Sequence, residues 1–313
     1  MNSIERKAPI ILFTYNRPIH VQKVVASLKH NIEASSSDLY VYSDAAKNET
    51  ALKGVLETRD YLKTIDGFKT VTIIERERNW GLAANIIDGV TAIVNKYGSA
   101  IVLEDDHVVS PYFLKYMNEG LEKYKENERV ASIHGYVYPC KKKMPEMFFI
   151  KGADCWSWAT WKRAWDHFEP DGQKLLNRIR ERRLEKEFDF GFNANYIEML
   201  EKQVIGKNAS WAVRWYASTF LDDMYTLYPG KSMMKMIGAD GLGTHGAVTN
   251  KFDVELKDDP INFAYAPCKV HEDKNAKKAF SNFFYKLMSP KLKLYKLVCI
   301  LFGKRIFIKR IVK

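Results

Sequence analysis

Four short apolar runs, separated by amphipathic stretches, fill the first 110 residues and leave little freedom in the choice of fold. Pro9 to Tyr15 (P-I-I-L-F-T-Y) is continuously apolar over a strand's length, the pattern of a strand covered on both faces. Asn16-Arg17-Pro18 then opens a helix, with Pro18 in its first turn and Ile19, Val24, Val25 and Leu28 spaced along one side. The same reading predicts strands over Leu39–Ser43, Thr70–Glu75 and Ala100–Leu103, and helices over about Thr50–Lys63 and Leu82–Tyr97. A β-α-β-α-β-α-β order calls for a mostly parallel α/β sheet with helices on both sides.

Sites in such sheets lie beyond the carboxyl ends of the strands. Asn16, Arg17, Asp44, Asn79 and the run Glu104-Asp105-Asp106 all fall at such ends. Beyond Ser110 the spacing predicts a helix to about Glu126 and strands at Val130–His134 and Met147–Ile150. An aromatic segment (Cys155 to Trp161), a charged helix over about Gln173–Glu187 and a buried aromatic helix over Trp211–Phe220 follow. Short strands at Tyr225–Tyr228 and Met233–Ile237 lead to a glycine-rich loop, Gly238–Gly246. With no repeat and no Pro- or Ser-rich linker, residues 1–255 read as one domain and 256–313 as an extension.

The charge sits mainly in that extension. The chain carries a formal +11, yet Lys274 to Lys313 contains twelve Lys/Arg and no Asp or Glu, so the body is close to neutral. A neutral body argues against nucleic acid as a partner, and a basic, amphipathic tail suggests attachment to an anionic membrane surface. The alternative is a helix packing its apolar side on the body. Its longest uncharged run, Leu297 to Gly303, is too short to span a bilayer. The N-terminus, M-N-S-I-E-R-K, lacks a signal-peptide core, which places the protein in the cytoplasm, peripheral on the inner membrane face. Cys140, Cys155, Cys268 and Cys299 are scattered without metal or disulfide spacing.

The turn after the first strand, T-Y-N-R-P, lacks the G-x-G-x-x-G of dinucleotide enzymes, and no P-loop is present. Three adjacent carboxylates at a strand end repel one another and call for a cation. Their hard oxygens suit Mg²⁺ or Mn²⁺, and an added imidazole would favour Mn²⁺. His245, between glycines in G-L-G-T-H-G, is the candidate second ligand, whereas His107, His134 and His271 lack such a context.

T-Y-N-R-P, Asp44, N-W-G-L-A-A-N and I-V-L-E-D-D followed by S-P-Y-F-L together resemble the GT-A fold nucleotide-sugar glycosyltransferases. The likeness is to bacterial family-2-like enzymes and to the N-acetylglucosaminyltransferase I group, and it covers roughly residues 9–250. It implies a Rossmann-like sheet with a nucleotide-binding half (1–110) and an acceptor half (111–255). Thr14, Tyr15, Asn16, Arg17 and Asp44 would then hold nucleobase and ribose, and Asn79, Gly81, Leu82 and Asn85 would line the ribose–diphosphate side. Asp106 would bind the metal with His245, Asp105 would face ribose, and Glu104 would lie near the donor sugar.

The implied reaction moves a sugar from a nucleoside-diphosphate sugar, a UDP-sugar by preference, to a glycan or lipid-linked acceptor in bacterial surface polysaccharide synthesis. An inverting enzyme needs a general base. Relatives carry it in the segment matching Asn208 to Trp215, which has no carboxylate here. Asp154 is the substitute, with Asp240 and Asp222 behind it. Trp161, Trp165, Trp211 and Trp215 read as core, while Trp156 and Trp158 are open between core and acceptor platform. A sugar nucleotidyltransferase and a non-catalytic glycan-binding protein are the rival readings.

Overall fold

Apolar runs that lack a polar side cannot lie on a half-exposed sheet, and here they do not. The computed structural model describes residues 7–239 and 249–301. Strand β1 (Ile10–Thr14) is buried at every position. Helix α1 (Pro18–Lys29), strand β2 (Asp38–Ser43), helix α2 (Glu49–Leu62), strand β3 (Thr70–Glu75), helix α3 (Gly81–Tyr97) and strand β4 (Ser99–Glu104) follow in the order the sequence requires. The pairs β1–β2, β1–β4 and β2–β3 are parallel, with Phe13 level with Glu104 and Thr14 level with Ser43. That register brings the ends of β1, β2 and β4 to one edge.

The second half continues through β5 (His107–Val109), α4 (Phe113–Lys123), β6 (Val130–His134), β7 (Met147–Lys151), β8 (Trp158–Trp161) and α5 (Lys162–Trp165). Helices α6 (Gly172–Glu181), α7 (Glu185–Phe188), α8 (Tyr196–Val204) and α9 (Trp211–Leu221) then lead to strands β9 (Tyr225–Pro229) and β10 (Met234–Met236). The main sheet has the order β3-β2-β1-β4-β8-β6-β9-β7, in which β8 and β7 run against the rest. This is the GT-A arrangement: a mostly parallel α/β sheet between helical layers. A separate antiparallel ribbon joins β5 to β10, with Met236 opposite His107.

Two local features differ from the sequence expectation. The aromatic segment, given no secondary structure from the sequence, ends in a strand (β8), where Trp158, left open between core and acceptor platform, is fully buried with its ring 5.6 Å from Trp211 and 5.9 Å from Trp215. The charged helix over Gln173–Glu187 is two helices, because Arg183 adopts a left-handed φ of 55° between α6 and α7.

The basic extension begins as part of the body. Glu272 bridges to Phe149 on the edge strand β7, and the Asp273 carboxylate caps α10 (Lys274–Leu287) at Asn275 and Ala276. Ala276, Phe280, Phe283 and Phe284 are buried, so α10 covers that sheet edge with its apolar side. Helix α11 (Pro290–Leu301) follows. Among the described residues, no helix is long and apolar enough to cross a membrane.

Candidate functional site

Because β1 and β4 are parallel neighbours, the turn after one faces the turn after the other. Arg17 reaches across and meets both carboxylates of the acidic run. One guanidinium nitrogen meets Asp105 and lies 3.0 Å from Asp106, and Nε stands 3.4 Å from Asp105. The backbone after β10 closes over this pair: the Ile237 amide donates to the Asp106 carbonyl at 2.9 Å. A Cβ at Gly238 would overlap an Asp106 carboxylate oxygen and stand 2.9 Å from Arg17, so a side chain there would displace these two groups.

Burial sets the charge state of the cluster. It drives the Glu104 carboxyl up to about 8, with Asp106 and Asp105 adding and Arg17 opposing. Glu104 makes no side-chain hydrogen bond among the described residues, so it is a neutral acid at pH 7 with an unused O–H. Burial also raises Asp105, against the pull of Arg17. For Arg17 burial acts downward, but the Asp105 and Asp106 charges and hydrogen bonds outweigh it and the guanidinium stays firmly charged.

His107 is part of this cluster although its sequence context did not mark it. Its Nδ1 accepts the Glu104 amide at 3.3 Å, leaving Nε2 as the donor 3.5 Å from Asp106. Burial pushes the imidazole down to about 4, against the opposing effect of Asp106, so it is neutral at pH 7. Among the described residues no three His, Cys, Asp or Glu side chains converge to hold a metal ion. Asp106 supplies one hard oxygen, so the residues fit Mg²⁺ or Mn²⁺ only where further ligands come from elsewhere, such as diphosphate oxygens.

Asp44, at the end of β2, is spent on the fold. One carboxylate oxygen accepts the amides of Ala45 and Trp80 at 2.9 Å, and the other accepts Gly81 N–H at 2.8 Å and the Asn79 amide at 3.0 Å. It fixes the start of α3, where Gly81 sits at a φ of 73° that a side chain would disfavour. Asn85 is also engaged, accepting Arg76 Nε at 2.8 Å and donating to Gly81 at 3.2 Å. Tyr15 accepts the Lys47 amide at 3.0 Å, Thr14 is buried, and Leu82 is exposed beside this edge. The Arg76 guanidinium stacks 3.8 Å over Trp80, a pairing that sequence spacing did not reveal.

Asp154 lies in the loop between β7 and β8, within a cage of hydroxyls. It accepts Tyr138 at 2.8 Å, Tyr228 at 3.3 Å and the Cys155 amide at 2.8 Å, and His134 Nε2 stands 4.0 Å away. That nitrogen accepts the Trp156 amide at 3.0 Å while Nδ1 donates to the Tyr136 carbonyl at 2.8 Å, so His134 is neutral and holds the loop. Burial raises the Cys155 thiol, and the charges of Asp154 and Glu104 add to the effect. Trp156 is only partly buried, unlike the core residues Trp158, Trp161, Trp165, Trp211 and Trp215.

Asp222 is committed to His167 at 2.8 Å and Arg178 at 2.9 Å and lies on the far end of α9. His245 and Asp240 lie outside the described residues.

A mostly parallel sheet with Arg17 and an acidic run at the ends of β1 and β4 is the arrangement of the GT-A class. The chain belongs to glycosyl transferase family 2, which matches residues 10–183. Solved structures similar to it include S. aureus TarS, at 14% identity and a TM-score of 0.31 over 48% of this chain and 25% of that one. The mannosyltransferase PcManGT from Pyrobaculum calidifontis, in complex with GDP-Man and Mn²⁺, is 11% identical with a TM-score of 0.31 over 43% and 36% of the two chains. A UDP-glucose pyrophosphorylase complexed with UDP-glucose is 12% identical with a TM-score of 0.36 over 73% and 91%. The chain thus spans a quarter to about a third of the first two proteins' length. No curated protein matches it.

Proposed function

We propose that the protein moves a sugar from a nucleoside-diphosphate sugar, with UDP favoured, to a hydroxyl of a glycan or lipid-linked acceptor, inverting the anomeric carbon. The pathway we assign is bacterial surface polysaccharide synthesis, in a glycosyltransferase resembling the N-acetylglucosaminyltransferase I group. One observation carries the reading: Arg17, Asp105, Asp106 and a neutral Glu104 meet at the edge where β1 and β4 end. Residues 1–110 would hold the donor and 111–255 the acceptor.

In this reading Asp106 and His245 would hold Mg²⁺ or Mn²⁺, which when bound would supply positive charge for the departing diphosphate. Arg17 leaves the carboxylates and turns its charge to the phosphates. Glu104 keeps its proton and donates to a donor-sugar oxygen, while Asp105 accepts from ribose. Asp154, oriented by Tyr138 and Tyr228, takes the proton from the acceptor hydroxyl. The loop held by His134 fixes the position of that carboxylate. The basic tail would hold the enzyme at the inner membrane face.

The test is a thermal-shift panel of UDP, GDP, CDP and dTDP, with and without Mn²⁺, on wild type and Asp106→Ala. Stabilisation by one nucleotide that needs metal and vanishes in Asp106→Ala establishes donor class and metal site together. No response to any nucleotide would leave the donor reading without support and favour a binding protein.

A further inference from the structure

A second concavity opens next to Asp154 and is quite unlike the polar edge. It has a volume of about 280 Å³, and its walls include Tyr138, Trp156, Tyr196, Met199, Leu287 and Leu292. Tyr138 contributes a ring to the wall and a hydroxyl to Asp154, so the cavity and the Asp154 cage share a partition. The lining is mostly carbon, with Asn193 and Asn195 among its polar residues. Asn193, one of its few polar members, already donates to the Phe190 carbonyl at 3.1 Å and the Ser281 hydroxyl at 2.7 Å. A sugar would leave most of its hydroxyls unpaired there, at the cost of their hydration.

The surroundings carry the opposite character on two counts. Helices α10 and α11, which form one side of the cavity, contain no acidic residue and present exposed Lys286 and Lys291. The Lys286 charge reaches the burial-raised Cys140 thiol and lowers it, and Cys140 precedes the exposed run Lys141-Lys142-Lys143. Next to the cavity, α11 also leaves Leu294 at 66% and Leu297 at 59% exposure, apolar surface without cover from the body. A carbon-lined hollow with lysines around it and an apolar apron is complementary to an amphiphile with an anionic head.

We propose that this cavity binds one lipid molecule bearing a phosphate, its hydrocarbon chain inside and its phosphate on Lys286, Lys291 and the 141–143 lysines. It rests on the acceptor-half reading above and deepens it: the lipid end of the acceptor is held here, and the part that receives the sugar lies at Asp154. The C-terminal helices therefore serve as a substrate clamp as well as an attachment surface.

The probe is dodecyl phosphate below its critical micelle concentration, titrated calorimetrically into the full chain, with inorganic phosphate and dodecyl maltoside as comparisons. Wild type is expected to bind dodecyl phosphate in preference to both. Met199→Glu, at a half-exposed wall position, and Lys286→Glu, on the surface, are each expected to weaken binding about fivefold or more. Unchanged binding in both variants, or equal binding of dodecyl maltoside, overturns the lipid site. The nucleotide thermal-shift panel is run on the same samples. A nucleotide response without alkyl phosphate binding overturns the lipid site alone, and alkyl phosphate binding without a nucleotide response supports it while removing the donor reading.

Discussion

One Arg17 guanidinium nitrogen bridges Asp105 and Asp106, residues 88 and 89 positions away in sequence, and so supplies the counter-charge of the acidic run. An arginine in this place does what a bound cation would do, and in the proposed reading donor binding would release it. Arg17→Met leaves two mostly buried carboxylates without their counter-charge. The expected loss is about 3 kcal/mol at neutral pH, part of it restored by millimolar Mn²⁺. Urea unfolding with and without Mn²⁺ measures both, and a variant as stable as wild type without metal contradicts the counter-charge role.

Glu104 makes stability depend on pH in a defined direction. Its unfolded value lies near 4.5 and its folded value near 8, so between them the native state keeps a proton that the unfolded state has lost. Stability therefore declines as pH rises across that window. His107, with 6.5 unfolded and about 4 folded, gives the opposite slope between pH 4 and 6.5, so the interval from 6.5 to 8 isolates Glu104. Glu104→Gln is expected to flatten the decline there, read as denaturation midpoints at pH 6.5 and 8.

Asp44→Ala removes an acceptor for four donors at the start of α3. A loss of about 2–3 kcal/mol is expected, and Asp44→Asn should lose less because one oxygen remains. Chemical denaturation decides this. Should Asp44→Ala keep its stability yet lose its nucleotide response, the residue's main partner would be the donor rather than the helix.

Asp154→Asn preserves the shape of the hydroxyl cage while removing the base. Turnover is expected to fall about 10²–10⁴-fold with donor binding intact. Near-normal turnover would take Asp154 out of the reaction and send the search to residues outside the described segments.

The first half of the sheet could be read from the chain because strands covered on both faces are written as unbroken apolar runs, as in I-I-L-F-T. Strand β8 could not: W-S-W-A-T-W packs large rings on a sheet, and rings look the same whether they fill a core or face a ligand. Trp158 went to the core and Trp156 to a cavity wall, a difference fixed by the left-handed φ of 49° at Ser157 between them. The acidic run was legible as a site because repulsion needs an explanation. Its neighbour His107 was not, since its role depends on the Glu104 amide and on a ribbon partner, Met236, far along the chain. Asp154 could be named from sequence, but the tyrosines that orient it come from residues 138 and 228, on separate strands and loops.

The ribbon between β5 and β10 has a consequence for how the enzyme comes into being. The acidic run is made early in synthesis, but Ile237 and Gly238, which close over Asp106, follow a strand 125 residues further on that must pair with the segment just after that run. A ribosome-bound chain that has emerged only through β4 can build most of the parallel sheet but not the floor beneath the carboxylates. If the edge holds a charged donor as proposed, competence for it would thus arrive late, once both halves have docked.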